Sequence, residues 1–191
     1  TQGNLNNEIG VPQMLFRLED SHTAAVIEMG MNHFGEISRL TRAVAPTVGL
    51  ITNIGVSHIE NLGSRAGILQ AKLEILEGMA PDAPLIVNMD NDMLRTVKLG
   101  DRPLLTFAID DQSADFTATD IAEQGSTTTF MVHHSTFTQP VTIPTVGIHN
   151  VYNALAAMAV GYVAGVNPAA AAAALANYVP AGMRQNLVQV G

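Results

Sequence analysis

Between residues 12 and 88 short apolar runs alternate with amphipathic stretches, and that alternation leaves few folds open to the chain. Residues 12–18 read as a short helix, 24–28 as a strand, 35–44 as a helix stopped before Pro46, 48–52 as a strand, 64–77 as a helix and 84–88 as a buried strand. Strands that alternate with helices predict right-handed crossovers onto a mainly parallel sheet flanked by helices, an α/β fold. From about residue 104 to 146 the pattern changes. Thr-rich alternating pieces at 115–121, 127–133 and 139–143 lie close together, which predicts a small antiparallel sheet beside the main one. Residues 150–164 are again helical. Asn167-Pro168 then reads as an N-cap with Pro at the first helical position, ahead of an Ala run whose small side chains suit close packing, with Leu175 and Tyr178 continuing its apolar face.

At 191 residues, 47% of them apolar, the chain is long enough for a substantial core. Its net charge of −8, with only 9 Lys and Arg, argues against a nucleic-acid surface, which needs clustered cations. Anionic ligands must therefore be held locally, by helix N-termini, single basic residues or metal ions. The absence of cysteine excludes disulfides and thiolate chemistry and agrees with a cytoplasmic setting. No apolar run approaches the roughly 20 residues of a membrane span. A start at Thr1-Gln2-Gly3 rather than Met reads as a piece of a longer protein.

In open α/β sheets, ligands sit at the carboxyl ends of parallel strands. Glu28 ends one apolar run, and His58 and Lys72 follow the run that ends at Ile51. A carboxylate at the end of a buried run needs a basic or metal partner, although a strand-end Glu can equally face water. A lone His is usually structural, and a Lys ammonium is a poor metal ligand. A buried Lys can instead present a neutral amine that adds carbon dioxide to form a carbamate, a carboxylate on a long arm suited to a hard cation. Gly30 and Gly35 around Asn32-His33 predict a sharply bent loop near a ligand. Asn150 suits a helix cap, while Asn153 can offer its amide to a purine edge. Arg184, in a Gly-flexed turn, suits a phosphate but is as often a surface residue. Neither Lys72 nor Lys98 belongs to a Gly-Lys-Ser/Thr turn, so this sequence holds no phosphate-cradling P-loop.

Five segments together resemble the central domain of the Mur ligases. They are Gly3-Asn4-Leu5-Asn6-Asn7-Glu8-Ile9-Gly10-Val11-Pro12; Val26-Ile27-Glu28-Met29-Gly30 with Asn32-His33 and Gly35-Glu36-Ile37; Thr52-Asn53-Ile54-Gly55 with His58, Glu60 and Gly63-Ser64; Ala71-Lys72; and residues 147–153. The Asn-rich opening is most similar to the branch that adds D-alanyl-D-alanine to UDP-N-acetylmuramoyl-tripeptide. The resemblance implies a three-domain enzyme of peptidoglycan synthesis, with residues 1–191 as its ATP-binding middle domain and 104–146 as a small antiparallel subsheet. The P-loop, the N-terminal domain and the C-terminal domain would then lie outside this sequence, leaving the isolated chain inactive.

The resemblance further implies that ATP phosphorylates the peptide carboxylate, that the incoming amine attacks the acyl phosphate, and that Mg2+ offsets the phosphate charge. By position, Glu28 resembles the magnesium-associated carboxylate, His58 a ligand of a second magnesium and Lys72 the carbamoylated lysine. Asn153, closing the His-Asn-x-x-Asn pattern that begins at His149 and includes Asn150, resembles the adenine contact, and Arg184 a nucleotide-phosphate contact. Asn6, Asn7, Asn32 and His33 resemble parts of the UDP-muramoyl-peptide surface. Two other readings stand beside this one: another amide-bond ligase of the same superfamily, such as a folylpolyglutamate synthase or a ligase adding one amino acid, and a non-catalytic binding module.

Overall fold

The computed structural model describes residues 5–179, in two units divided after Leu105. In the first unit, β1 (Gly49–Ile51) and β2 (Leu85–Asn88) run parallel, with Gly49 opposite Leu85 and Ile51 opposite Val87. All four β2 residues are buried. A strand covered on both faces reads as an unbroken apolar run, which is why 84–88 was legible. Four helices accompany the strands: α1 (Gly10–Leu15), α2 (Glu36–Val44), α3 (Ile59–Leu62) and α4 (Arg65–Leu73). Their apolar faces meet in one core that includes Val11, Met31, Leu40, Ile51, Ile54, Ile68, Leu85 and Val87.

The local chemistry explains where these helices stop. α2 ends at Ala45, which takes a left-handed conformation (φ 47°) just ahead of Pro46 and donates its N–H to the Thr41 carbonyl. α4 starts from Ser64, whose hydroxyl accepts the Gly67 N–H at 3.1 Å. The helix expected over 64–77 closes as α-helix at Leu73 and tightens into a 3-10 turn, Glu74–Gly78. That turn is shaped by what it serves. The Glu74 carboxylate accepts the Gly35 N–H at 2.7 Å and the Ser38 N–H at 3.1 Å, satisfying donors at the start of α2. Behind it the buried Thr41 hydroxyl donates to the Ile75 carbonyl at 2.8 Å. Gly78 lies so close to α2 that a Cβ there would sit 2.2 Å from the Thr41 carbonyl oxygen.

The second unit begins within β3 (Leu104–Ala108), which runs parallel to β4 (Phe116–Gln124) through Phe107 opposite Phe116 and Ala108 opposite Thr117. So short an overlap lets residues 109–115 make the step back without the long crossover that parallel strands normally need. β5 (Thr127–His134) and β6 (Phe137–Ile143) then add antiparallel, with β4 irregular between Thr119 and Ala122. The strands hydrogen-bond in chain order, β1 to β6. Antiparallel pairing therefore joins β4 to β6, and β3, inside the 104–146 range, pairs with β4 in parallel. β6 ends that order and carries Pro140 opposite Met131; the Pro140 carbonyl accepts the Gln139 side-chain amide at 3.0 Å.

α5 (Ile148–Val163) buries Val151, Ala154, Leu155, Met158 and Ala159, one helical face read at three- and four-residue steps. α6 (Pro168–Ala176) starts as its sequence predicts, with the Asn167 side chain accepting the Ala169 N–H and Pro168 at the first position. Its close packing is limited to Ala172; Leu175 is half-buried, and Tyr178, beyond the helix end, is 52% exposed. The rings of Phe116, His134, Phe137 and Tyr162 cluster in this unit, with His134 stacked on Phe116 at 4.6 Å and tilted against Tyr162 at 4.4 Å.

Candidate functional site

β1 and β2 are parallel neighbours, so the segments that follow Ile51 and Asn88 leave the sheet at the same rim. That rim is where an open α/β sheet gathers ligand-binding groups. The β1 turn, Thr52-Asn53-Ile54-Gly55, buries only Ile54 and exposes Thr52 and Asn53. His58 follows at the cap of α3 with φ 65°. A left-handed conformation in a residue that carries a Cβ is costly, and such outliers concentrate at functional sites. Lys72 reaches the same turn from α4, its Nζ donating to the Asn53 carbonyl at 2.9 Å. Burial pushes the Lys72 amine below its ordinary pKa, because desolvation penalises the charged form. It forms no ion pair among the described residues.

The β2 side of the rim supplies residues that motif reading passed over. Asn91 donates its side-chain amide to the Asn53 side-chain oxygen at 2.7 Å and to the Ile54 carbonyl at 3.3 Å. Arg65 donates to the Ile54 carbonyl at 2.9 Å and grips Asp92 with both terminal nitrogens. That hydrogen-bonded pair holds the Asp92 carboxyl below its usual range. The visible signal was the polar run Asn88-Met89-Asp90-Asn91-Asp92 directly after a buried strand.

Glu28 behaves differently from its sequence expectation. Residues 24–28 are not among the described strands, Val26 is 81% exposed, and Glu28 itself is exposed. An apolar run becomes a buried strand only where layers cover it, and here it lacks that cover. The Glu28 carboxylate accepts the Asn6 side-chain amide at 3.1 Å, and the Gly30 N–H donates to the Asn6 carbonyl at 2.7 Å. A Cβ on Gly30 would come within 3.0 Å of the Asn6 side chain, so the close approach expected at this glycine is made to the Asn-rich opening. Among the described residues no group of three or more His, Cys, Asp or Glu could hold a metal ion.

Asn7, Glu8, Ile9, Gly30, Asn32 and Glu36 line a shallow cleft of about 210 Å³. Asn7 turns its side-chain oxygen inward to the N–H groups of Ile9 and Gly10, at 3.1 and 2.8 Å. Glu36 accepts the Asn32 N–H at 2.6 Å and lies 3.3 Å from the His33 ring nitrogen. The Asn32 N–H, more than His33, holds the Glu36 carboxyl below its usual range. Two carboxylates, Glu8 and Glu36, face this cleft, and Glu8 is paired to Arg39.

In the second unit Asn153 is exposed on the second turn of α5. Asn150 does not cap the helix. The cap position is Gly147, with φ 99°, and the Asn150 amide folds back to donate to the Val146 carbonyl at 2.7 Å. Gly147 donates its N–H to the Glu123 carboxylate at 2.8 Å. Arg184 lies outside the described residues, as do Gly3 and Asn4.

The family model described as Mur ligase middle domain matches residues 1–161. A UDP-N-acetylmuramoyl-tripeptide--D-alanyl-D-alanine ligase of Escherichia coli is 40% identical over 179 residues, covering 93% of this chain and 40% of the relative. The protein of the same name in Bacillus subtilis is 38% identical, covering 99% of this chain and 40% of the relative. The chain thus spans about 40% of the length of these curated relatives. A crystal structure of MurF from Acinetobacter baumannii superposes with a TM-score of 0.92 at 35% identity, over all of this chain and 42% of that one. MurF from Thermotoga maritima, solved in complex with ADP, gives 0.86 at 23% identity over 99% of this chain and 44% of that one, a likeness of fold.

Proposed function

The chain belongs to the Mur ligase middle-domain family, and from that premise we propose that it is the ATP-binding middle domain of a cytoplasmic ligase that joins D-alanyl-D-alanine to UDP-N-acetylmuramoyl-tripeptide. The observation that carries this reading is likeness along 93% of the chain to a relative named for that reaction, together with a half-buried lysine amine at the rim beyond β1 and β2. The ADP complex of the Thermotoga protein, which shares this fold, supports a nucleotide as one ligand. In this reading ATP activates the peptide carboxylate as an acyl phosphate, which the dipeptide amine then attacks.

The residues divide by task. Asn7 and Asn32 line the cleft, Asn6 and His33 bond to Glu28 and Glu36 beside it, and their amide and imidazole groups suit the sugar and peptide of the muramoyl substrate. Asn153 offers an exposed amide for the adenine edge, with Asn150 behind it and Arg184 for the phosphates. Lys72, its pKa lowered by burial, holds more neutral amine at working pH than an exposed lysine and can add carbon dioxide. Mg2+ takes one or two carboxylates together with substrate phosphates, and Glu28, His58 and a carbamate on Lys72 are the residues that would hold it. Bound there, Mg2+ would neutralise charge on the phosphates.

The test is a steady-state assay of the full-length protein that carries this domain. Phosphate release should require ATP, the muramoyl tripeptide and D-alanyl-D-alanine together, with single amino acids failing to replace the dipeptide. Release without the dipeptide, or with a single amino acid in its place, refutes the assignment. The 191-residue chain by itself, which has no Gly-Lys-Ser/Thr turn, should not ligate.

A further inference from the structure

Three side chains, two from α4 and one from the segment after β2, converge on Asn53 and Ile54. Lys72 donates to the Asn53 carbonyl, Arg65 to the Ile54 carbonyl, and Asn91 to both the Asn53 side chain and the Ile54 carbonyl. Asn91 is itself immobilised. Its side-chain oxygen accepts the Met93 and Leu94 N–H groups at 3.1 and 3.0 Å, which leaves its amide nitrogen aimed at the β1 turn. The Asn53 side chain is exposed, and its oxygen is held by Asn91.

We propose that Asn91 is a positioning residue for Lys72, fixing the Asn53 peptide whose carbonyl receives the lysine N–H and so aiming the carbamate that forms there. This rests on the reading of Lys72 as a modified lysine. In that modification the amine lone pair forms a bond to the carbon of carbon dioxide, one C–O π pair moves onto oxygen, and one amine proton leaves to water. The planar nitrogen keeps a single N–H. Donated to the Asn53 carbonyl, that N–H sends the new carboxylate off the opposite side of the nitrogen. A carbonyl free to swing away would leave the N–H unsatisfied and lower the equilibrium population of carbamate, by the several-fold that one hydrogen bond commands.

The experiment is carbon NMR of the 191-residue chain in 13C-bicarbonate at fixed pH, with the folded fraction measured by circular dichroism. The unsubstituted chain should give one carbamate resonance that Lys72→Arg abolishes. Asn91→Ser keeps the charge and a hydroxyl able to accept the Met93 and Leu94 N–H groups, but cannot span to Asn53. It should lower carbamate per folded molecule about five-fold. Arg65→Lys keeps its charge but loses the single bond to the Ile54 carbonyl and the fork to Asp92, and should lower it less. A residue with a merely structural role would leave the population per folded molecule unchanged, so an Asn91→Ser signal equal to that of the parent overturns the proposal while leaving Lys72 modified. If Asn91→Ser does not fold, an undiminished signal in Asn53→Ala, which removes the group Asn91 grips and keeps the carbonyl, overturns it. An unsubstituted chain without any carbamate removes the Lys72 reading and this inference together.

Discussion

Gly78→Ala should destabilise the first unit by about 3 kcal/mol, although it adds one methyl group. The Cβ would stand 2.2 Å from the Thr41 carbonyl oxygen, 2.3 Å from its carbon and 2.7 Å from the Arg42 nitrogen. All three are backbone atoms, so no rotamer change makes room. The oxygen already accepts the Ala45 N–H at 2.7 Å, which pins it within the last turn of α2. To restore ordinary contact the 3-10 turn and α2 must part by about 1 Å, and close-packed interiors resist such a shift at about 1–3 kcal/mol. The same movement stretches the buried Thr41 to Ile75 hydrogen bond, and an unmade buried bond adds about 1–3 kcal/mol. The exposed bonds from Ser38 and Arg42 to Glu77 contribute little. Reduced freedom of the unfolded chain returns about 0.4–1 kcal/mol. Urea unfolding followed by circular dichroism measures the sum, with Gly55→Ala as the control, since its nearest neighbour atom would be 3.7 Å away. A Gly78→Ala loss under about 1 kcal/mol, or one equal to the control, would refute the steric reasoning.

Three further outcomes follow from other parts of the molecule. The folded-state pKa of Lys72 lies below its ordinary 10.5, so the unfolded chain binds the extra proton between the two values and stability rises with pH across that window. Urea midpoints in carbon-dioxide-free buffer should show this rise in the parent and lack it in Lys72→Met; parallel curves would contradict it. The Asp92 carboxyl is held below its ordinary 3.8 by Arg65, so its contribution is present above 3.8 and lost as pH falls through the lowered value. The stability gap between the parent and Asp92→Asn should therefore close on acidification, and a gap independent of pH would count against the pair. Phe107 is fully buried, and Phe107→Ala should cost about 4 kcal/mol in the second unit, checked by thermal unfolding; a loss under about 1.5 kcal/mol would mean that the site collapses around the substitution.

The elements most easily read from sequence were those whose local pattern and final environment agree. Residues 84–88 are uniformly apolar and end up buried on both faces, and Asn167-Pro168 is a capping signal that acts within its own turn. Residues 24–28 carry the same apolar pattern as a buried strand, yet pattern alone supplies no covering layer, and Val26 is exposed. The shortening of α4 depends on Gly35, Ser38 and Thr41, more than thirty residues away, through bonds that no local window contains. At the candidate site His58 and Lys72 stood out because their residue types have recognisable chemistry. Asn91 and Arg65 did not, because their partners at this turn include backbone carbonyls, and a carbonyl has no sequence signature.

Pro140 bears on how this polypeptide behaves at high concentration. The terminal strand of a sheet is a template on which a second molecule can polymerise through exposed amides and carbonyls. At Pro140 the amide hydrogen is missing by covalent structure, and the carbonyl is already occupied by the neighbouring Gln139. A foreign strand approaching there would find a break in the zipper halfway along β6, so fibre growth from this side has no continuous ledge on which to begin.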